Sequence, residues 1–169
     1  MATVYAQFPI HVGVKAGGVW NPQEITALRI SKVLPASIGG YAEVDLPFLP
    51  IIETGIFWKR YQLDTSIPGF GSRTHAIEVP ILVKKRFLPL PVQPFLAAGT
   101  TLRWVPSIRT NGLDVNLTAD SGFGLTAAAG ISIRALFIRI EPEFRVTRWL
   151  RGTYLPRNNQ VEFLVGVRF

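Results

Sequence analysis

Residues 136–150 read LFIRIEPEFRVTRWL, and the chemistry changes at nearly every step. Leu136, Ile138, Ile140, Pro142, Phe144 and Val146 fall on one side; Arg139, Glu141, Glu143, Arg145 and Thr147 fall on the other. A period of two marks an extended strand, because successive side chains there point to opposite faces. The pattern recurs, predicting eight strands at 8–20, 38–48, 51–63, 75–87, 92–105, 121–134, 136–150 and 160–169. The fourth sets Ile77, Val79, Ile81 and Val83 against Glu78, Pro80, Leu82, Lys84 and Arg86. The eighth sets Val161, Phe163, Val165, Val167 and Phe169 against Gln160, Glu162, Leu164, Gly166 and Arg168. The second and third are more ragged.

The connections alternate in length. Long ones cover 21–37, the stretch through Pro68-Gly69-Phe70-Gly71, 106–120 (with Asn111-Gly112 inside) and 151–159. Short ones lie at Pro47–Pro50, at Pro89–Pro91 and around Arg134-Ala135. This parity predicts an all-β fold, an eight-stranded antiparallel up-and-down barrel whose two ends face different surroundings.

Composition then bears on which face is inside. The chain is 48% hydrophobic, with positive mean hydropathy, yet only 17% charged, against about 25% in an average soluble domain. No apolar run approaches the roughly 18 residues of a membrane helix, and thirteen Pro and fifteen Gly argue against long helices. Dispersed hydrophobicity without helices fits a barrel that meets lipid with its outer face. Aromatic positions agree. With the long connections at the top, Trp20, Trp58, Trp104 and Trp149 fall at upper strand ends. Phe8, Phe48, Phe87, Phe95, Phe137 and Phe169 fall at or near lower ends, as two interfacial girdles would require.

Turning every apolar row outward collects the charges inside. The inward rows hold Glu43, Asp45, Glu53, Glu78, Glu141, Glu143 and Glu162, which are seven of eleven acids. They also hold Lys15, Lys59, Lys84, Arg86, Arg103, Arg134, Arg139, Arg145 and Arg168, nine of eighteen bases. An eight-stranded barrel has room inside only for side chains, and buried charges persist there only when paired. The sixth predicted strand adds Gly122, Gly124, Ala128 and Gly130, which leave space for neighbouring long side chains or else leave a cavity.

The terminal run QVEFLVGVRF, residues 160–169, resembles the C-terminal signal strand of bacterial outer-membrane barrels. IEPEFRVTRW, residues 140–149, resembles a late strand of the outer membrane protein β-barrel domain group. Together with the pattern over 8–169, the chain resembles small OmpA-like or OmpX-like transmembrane barrels. That resemblance implies a bacterial outer-membrane location with both termini periplasmic, and recognition of the last strand by the outer-membrane assembly machinery. Peptidoglycan anchoring is not implied, since no such domain follows the barrel. Residues 1–7 read either as a signal-peptide remnant, ending in Thr3-Val4-Tyr5-Ala6-Gln7, or as a disordered N-terminus.

Candidates for chemistry are few. There is no cysteine, and His11 and His75 sit in no metal-spacing cluster. Ser72, Thr74 and His75 could serve a lipid A-modifying enzyme, but no orienting acid lies nearby in the chain. Glu141 and Glu143, flanked by arginines, read as ion-paired interior rather than as an acid–base pair. The net charge of +7 is split between interior and loops, which does not make the continuous cationic surface of a nucleic-acid binder. Arg29, Lys32, Arg60, Arg73, Arg109, Arg148, Arg151 and Arg157 are the expected contacts for lipopolysaccharide phosphates. The expectation is a non-enzymatic monomer without cofactor or metal, structural, adhesive or narrow-pored. The alternatives are a soluble lipocalin-like carrier, which shares the alternation with its faces reversed, and the lipid A enzyme.

Overall fold

A computed structural model describes residues 10–19, 36–45, 49–64, 71–87, 91–105, 108–110, 113–115, 120–135, 137–151 and 159–169. The side chains of 61–64, 71–74, 108–110, 113–115, 120 and 151 lie outside that description. The strands are β1 (Ile10–Val19), β2 (Ala36–Val44), β3 (Ile51–Asp64), β4 (Gly71–Arg86), β5 (Val92–Val105), β6 (Ile108–Thr110), β7 (Leu113–Val115), β8 (Asp120–Ala135), β9 (Ile138–Arg151) and β10 (Asn159–Arg168). Eight of them form the barrel, each antiparallel to its neighbours, and β1 pairs with β10 to close it (Gly13 opposite Arg168, Val19 opposite Glu162). Closure leaves no open sheet edge around the wall, a condition for backbone inside hydrocarbon.

β5 has the predicted limits, while β4 begins four residues before the expected His75. Its upper end stays paired because β3 runs beside it, Leu63 opposite Ser72. The long connection expected at 106–120 holds β6 and β7. β6 pairs with β4 (Ser72 opposite Thr110), then with β7 (Thr110 opposite Leu113) across Asn111-Gly112. β5 reaches β4 only from Ile77 downward, so β6 covers an edge that would otherwise stand open. Asn-Gly is the dipeptide that favours such two-residue hairpins.

The alternation sorts the wall into two faces. Ile10, Val12 and Val14 on β1, Ile56 on β3, Ile81 and Val83 on β4, and Phe144 and Val146 on β9 are exposed. The intervening positions are buried, among them Lys15, Glu53, Lys84, Glu141, Glu143 and Arg145. The charged row faces inward.

Candidate functional site, an ion-paired interior

Among the described residues, six carboxylates and six cationic side chains are buried: Glu43, Glu53, Glu78, Glu141, Glu143 and Glu162 with Lys15, Lys59, Lys84, Arg103, Arg145 and Arg168. A buried ion costs several kcal/mol of desolvation unless opposite charge and hydrogen bonds replace the lost water. The equal counts allow that compensation. In the lower half Lys84 Nζ donates to Glu43 at 2.6 Å, Glu141 at 2.8 Å and Glu53 at 3.1 Å. Lys15 Nζ donates to Glu53 and, at 2.7 Å, to Glu143. Arg145 closes the circuit onto Glu143 at 2.7 Å and Glu53 at 3.2 Å. Arg86 and Arg168 both pair with Glu43. In the upper half Lys59 pairs with Glu78 and Glu162, and Arg103 with Glu78 and Gln160.

The carboxylates of Glu43, Glu53 and Glu141 converge closely enough to suggest a metal site. The Lys84 ammonium lies among them and donates to all three, so a resident cation already fills the place an ion would take.

Among the described residues, four aromatic side chains point inward, each opposite a glycine and each beneath a cation. Tyr41 faces Gly13, Phe57 faces Gly39, Phe95 faces Gly130 and Trp149 faces Gly124. A Cβ on these glycines would lie 2.6 Å from Tyr41 Cε1, 2.7 Å from Phe57 Cδ1, 2.6 Å from Phe95 Cζ and 3.0 Å from Trp149 Cε3. The covering cations are Lys15 over Tyr41 (4.4 Å), Arg145 over Phe57 (5.3 Å), Lys84 over Phe95 (4.0 Å) and Arg103 over Trp149 (3.5 Å). The rings therefore fill the space left by the glycines and offer their π faces to the ions.

This arrangement corrects two expected girdle residues. Phe95 is 1% exposed and Trp149 5% exposed, so neither can meet lipid. Trp149 instead donates its indole N–H to Gln160 at 3.1 Å. The cue lay in parity: Trp149 shares its row with Thr147 and Arg145, and Phe95 with Ala97, whereas the girdle expectation relied on height along the strand. Phe57 was not singled out from the sequence, although it shares the row of Glu53 and Lys59. Of the other girdle positions, Trp58 and Trp104 are exposed at upper ends and Phe87, Phe137 and Phe169 at lower ends. Trp20, Phe8 and Phe48 lie outside the described residues.

Arg134 and Arg139 also depart from the expected interior network. They occupy inward-row positions at the last turn of β8 and the first of β9, so their side chains reach the lower mouth. Arg134 is exposed there, and Arg139 is half-buried, donating to Gln93 at 3.1 Å. Asp45 is half-exposed at the same rim, 3.4 Å from His11 and 3.9 Å from Arg86. Of the cations expected to meet lipopolysaccharide, Arg60 and Arg148 are exposed on outward rows. Arg29, Lys32 and Arg157 lie outside the described residues, as do the side chains of Arg73, Arg109 and Arg151. His75 is exposed and stacks on Trp58 (centroids 5.0 Å apart, planes at 23°), while the side chains of Ser72 and Thr74 lie outside the description.

No family model and no curated protein matches the chain. Solved structures match it in fold. Neisserial surface protein A aligns with a TM-score of 0.64 at 17% identity, over 94% of this chain and 95% of that one. A major outer membrane protein from Thermus thermophilus aligns at 0.54 and 13% identity, over 95% and 98%. Ail of Yersinia pestis, crystallised with the heparin analogue sucrose octasulfate, aligns at 0.53 and 12% identity, over 95% and 96%. The chain thus has the closed eight-stranded barrel fold found in small bacterial outer-membrane proteins.

Proposed function

We propose that this chain is an integral, non-enzymatic barrel of a bacterial outer membrane that presents its long connections on the outer side. The observation that carries the reading is the inversion of the two faces. Large apolar side chains are exposed around the wall while ion pairs fill the centre. A soluble carrier needs the reverse, an apolar interior and a charged exterior. A continuous apolar belt of this extent in water is an association surface; in lipid it is the required solvent-facing side. The short-turn end and both termini are periplasmic, and residues 160–169 are the strand read by the assembly machinery. The work is structural or adhesive through the long connections, with at most a narrow path through the filled interior. The barrel acts as a monomer.

Outward Arg60 and Arg148, with the loop cations, contact lipopolysaccharide phosphates at the outer leaflet. The reading is supported by their exposure on outward rows near the upper ends of β3 and β9, since guanidinium pairs well with phosphate. The test is direct. Folded protein should need detergent to stay dispersed, and unboiled samples should migrate differently from boiled ones on an SDS gel. A chain that is monodisperse in plain buffer and insensitive to boiling would remove the reading. Replacing Arg60 and Arg148 by Ser should reduce the lipopolysaccharide that co-purifies.

A further inference from the structure

The interior is balanced, but the lower mouth is not. Register sets Arg134 on β8 opposite Arg139 on β9, and Arg139 opposite Arg168 on β10. Three guanidinium-bearing positions thus form one transverse row, all on the inward side of the wall. Arg168 is neutralised by Glu43. Among the described residues Arg139 has only a neutral acceptor, the Gln93 amide oxygen, which holds its side chain across β8 toward β5. Arg134 is anchored through its backbone N–H to the Pro91 carbonyl at 2.9 Å, and its exposed side chain forms no ion pair with any described residue. The inward carboxylates nearest the row are committed, Glu141 to Lys84 and Arg86 and Glu43 to Lys84, Arg86 and Arg168, while half-exposed Asp45 lies on the other side of the rim, 3.4 Å from His11 and 3.9 Å from Arg86. The short turns supply no acid, since residues 46–48, 88–90 and 136 read LPF, LPL and L.

Like charges directly opposite on adjacent strands repel. The surplus at this mouth is two guanidinium groups carried on directly opposed positions of adjacent strands, each with hydrogen-bond donors to spare. A tetrahedral oxyanion matches such a pair, because each fork can donate two parallel N–H bonds to phosphate oxygens. We propose that Arg134 and Arg139 form a phosphate-binding site at the short-turn mouth of the barrel, with Gln93 positioning Arg139. The ligand is a phosphate group, borne either by a soluble anion entering the mouth or by a phospholipid of the adjacent leaflet. The soluble arm holds whichever compartment that end faces, so it stands apart from the membrane assignment.

The experiment uses folded full-length barrel in a phosphate-free neutral detergent, titrated with inorganic phosphate and followed by ³¹P line broadening, with chloride at matched ionic strength as control. Saturable broadening is expected. It should weaken by about tenfold for each guanidinium removed in Arg134→Ser/Arg139→Gln, as loss of a hydrogen bond to a charged group implies. The charge-keeping Arg134→Lys/Arg139→Lys should retain part of it. In a second arm, native mass spectrometry from nanodiscs compares retention of phosphatidylglycerol with phosphatidylcholine. Binding of free phosphate alone assigns a soluble ligand; selective retention of phosphatidylglycerol, lost in the double variant, assigns the leaflet. The proposal is overturned if native protein and double variant behave alike in both arms, or if chloride reproduces the effect.

Discussion

At the scale of single residues, the interior is built from glycine, aromatic ring and cation taken together. Gly130 illustrates the constraint. A methyl group there meets Phe95 Cζ at 2.6 Å and crowds the Pro142 carbonyl, so Gly130→Ala should cost about 1–3 kcal/mol by overpacking. Urea titration in lipid vesicles would show it, and Phe95→Leu should return part of the loss, the carbonyl contact remaining. Gly40 is the control: it faces outward with its nearest neighbour, the Gly13 carbonyl, at 3.9 Å, so Gly40→Ala should be neutral or stabilising by about 0.4–1 kcal/mol through the unfolded chain. The ions obey a similar logic. Glu143→Ala would leave Lys15 with Glu53 alone and take from Arg145 its shorter partner. Removing one member of a buried network costs on the order of 3–5 kcal/mol, and unchanged urea resistance would contradict the pairing. Alternation alone revealed which residues share this interior, because parity survives any error in strand ends. It could not show that Phe95 lies opposite Gly130, since that depends on the register between two strands and not on either one alone.

At the scale of elements, the barrel strands were legible and the hairpin was not. Fourteen residues at 92–105 repeat the alternation enough times to outweigh irregularities such as Pro94. β6 and β7 have three residues each, too few for any period to show, so only Asn111-Gly112 signalled them. Their partners are confined to the upper end of β4, at Ser72, Arg73 and Thr74. The barrel closes without them through β3–β4, β4–β5 and β5–β8. Replacing residues 106–119 by a short Gly-Ser linker should therefore leave heat-modifiable migration on SDS gels and the far-UV β signal intact. Loss of folded barrel would mean that the hairpin takes part in assembly rather than decorating it.

At the scale of the whole molecule, the competing descriptions differ in what surrounds the wall, and a single charge can report on that. Ile81 is exposed on the outer face, four residues below the Trp58 and Trp104 level marked by Ile77 and four above Lys85. If hydrocarbon lies there, Ile81→Arg should destabilise the barrel by about 2–4 kcal/mol, the cost of arginine near the bilayer midplane. The same change at Ile10, exposed at the lower end of β1, should cost only about 0–1 kcal/mol, because the side chain there reaches the interface. In a water-facing sheet neither substitution would exceed about 0.5 kcal/mol, as for most surface changes, and depth would be irrelevant. Urea titration of both variants in vesicles separates the cases. A large difference between Ile81 and Ile10 requires a surrounding that grades from polar to apolar along the barrel axis, which a bilayer provides and plain solvent does not. Equal, small effects would instead make the exposed belt a protein-binding surface, and the ion-paired interior would then need a reason other than exclusion from lipid.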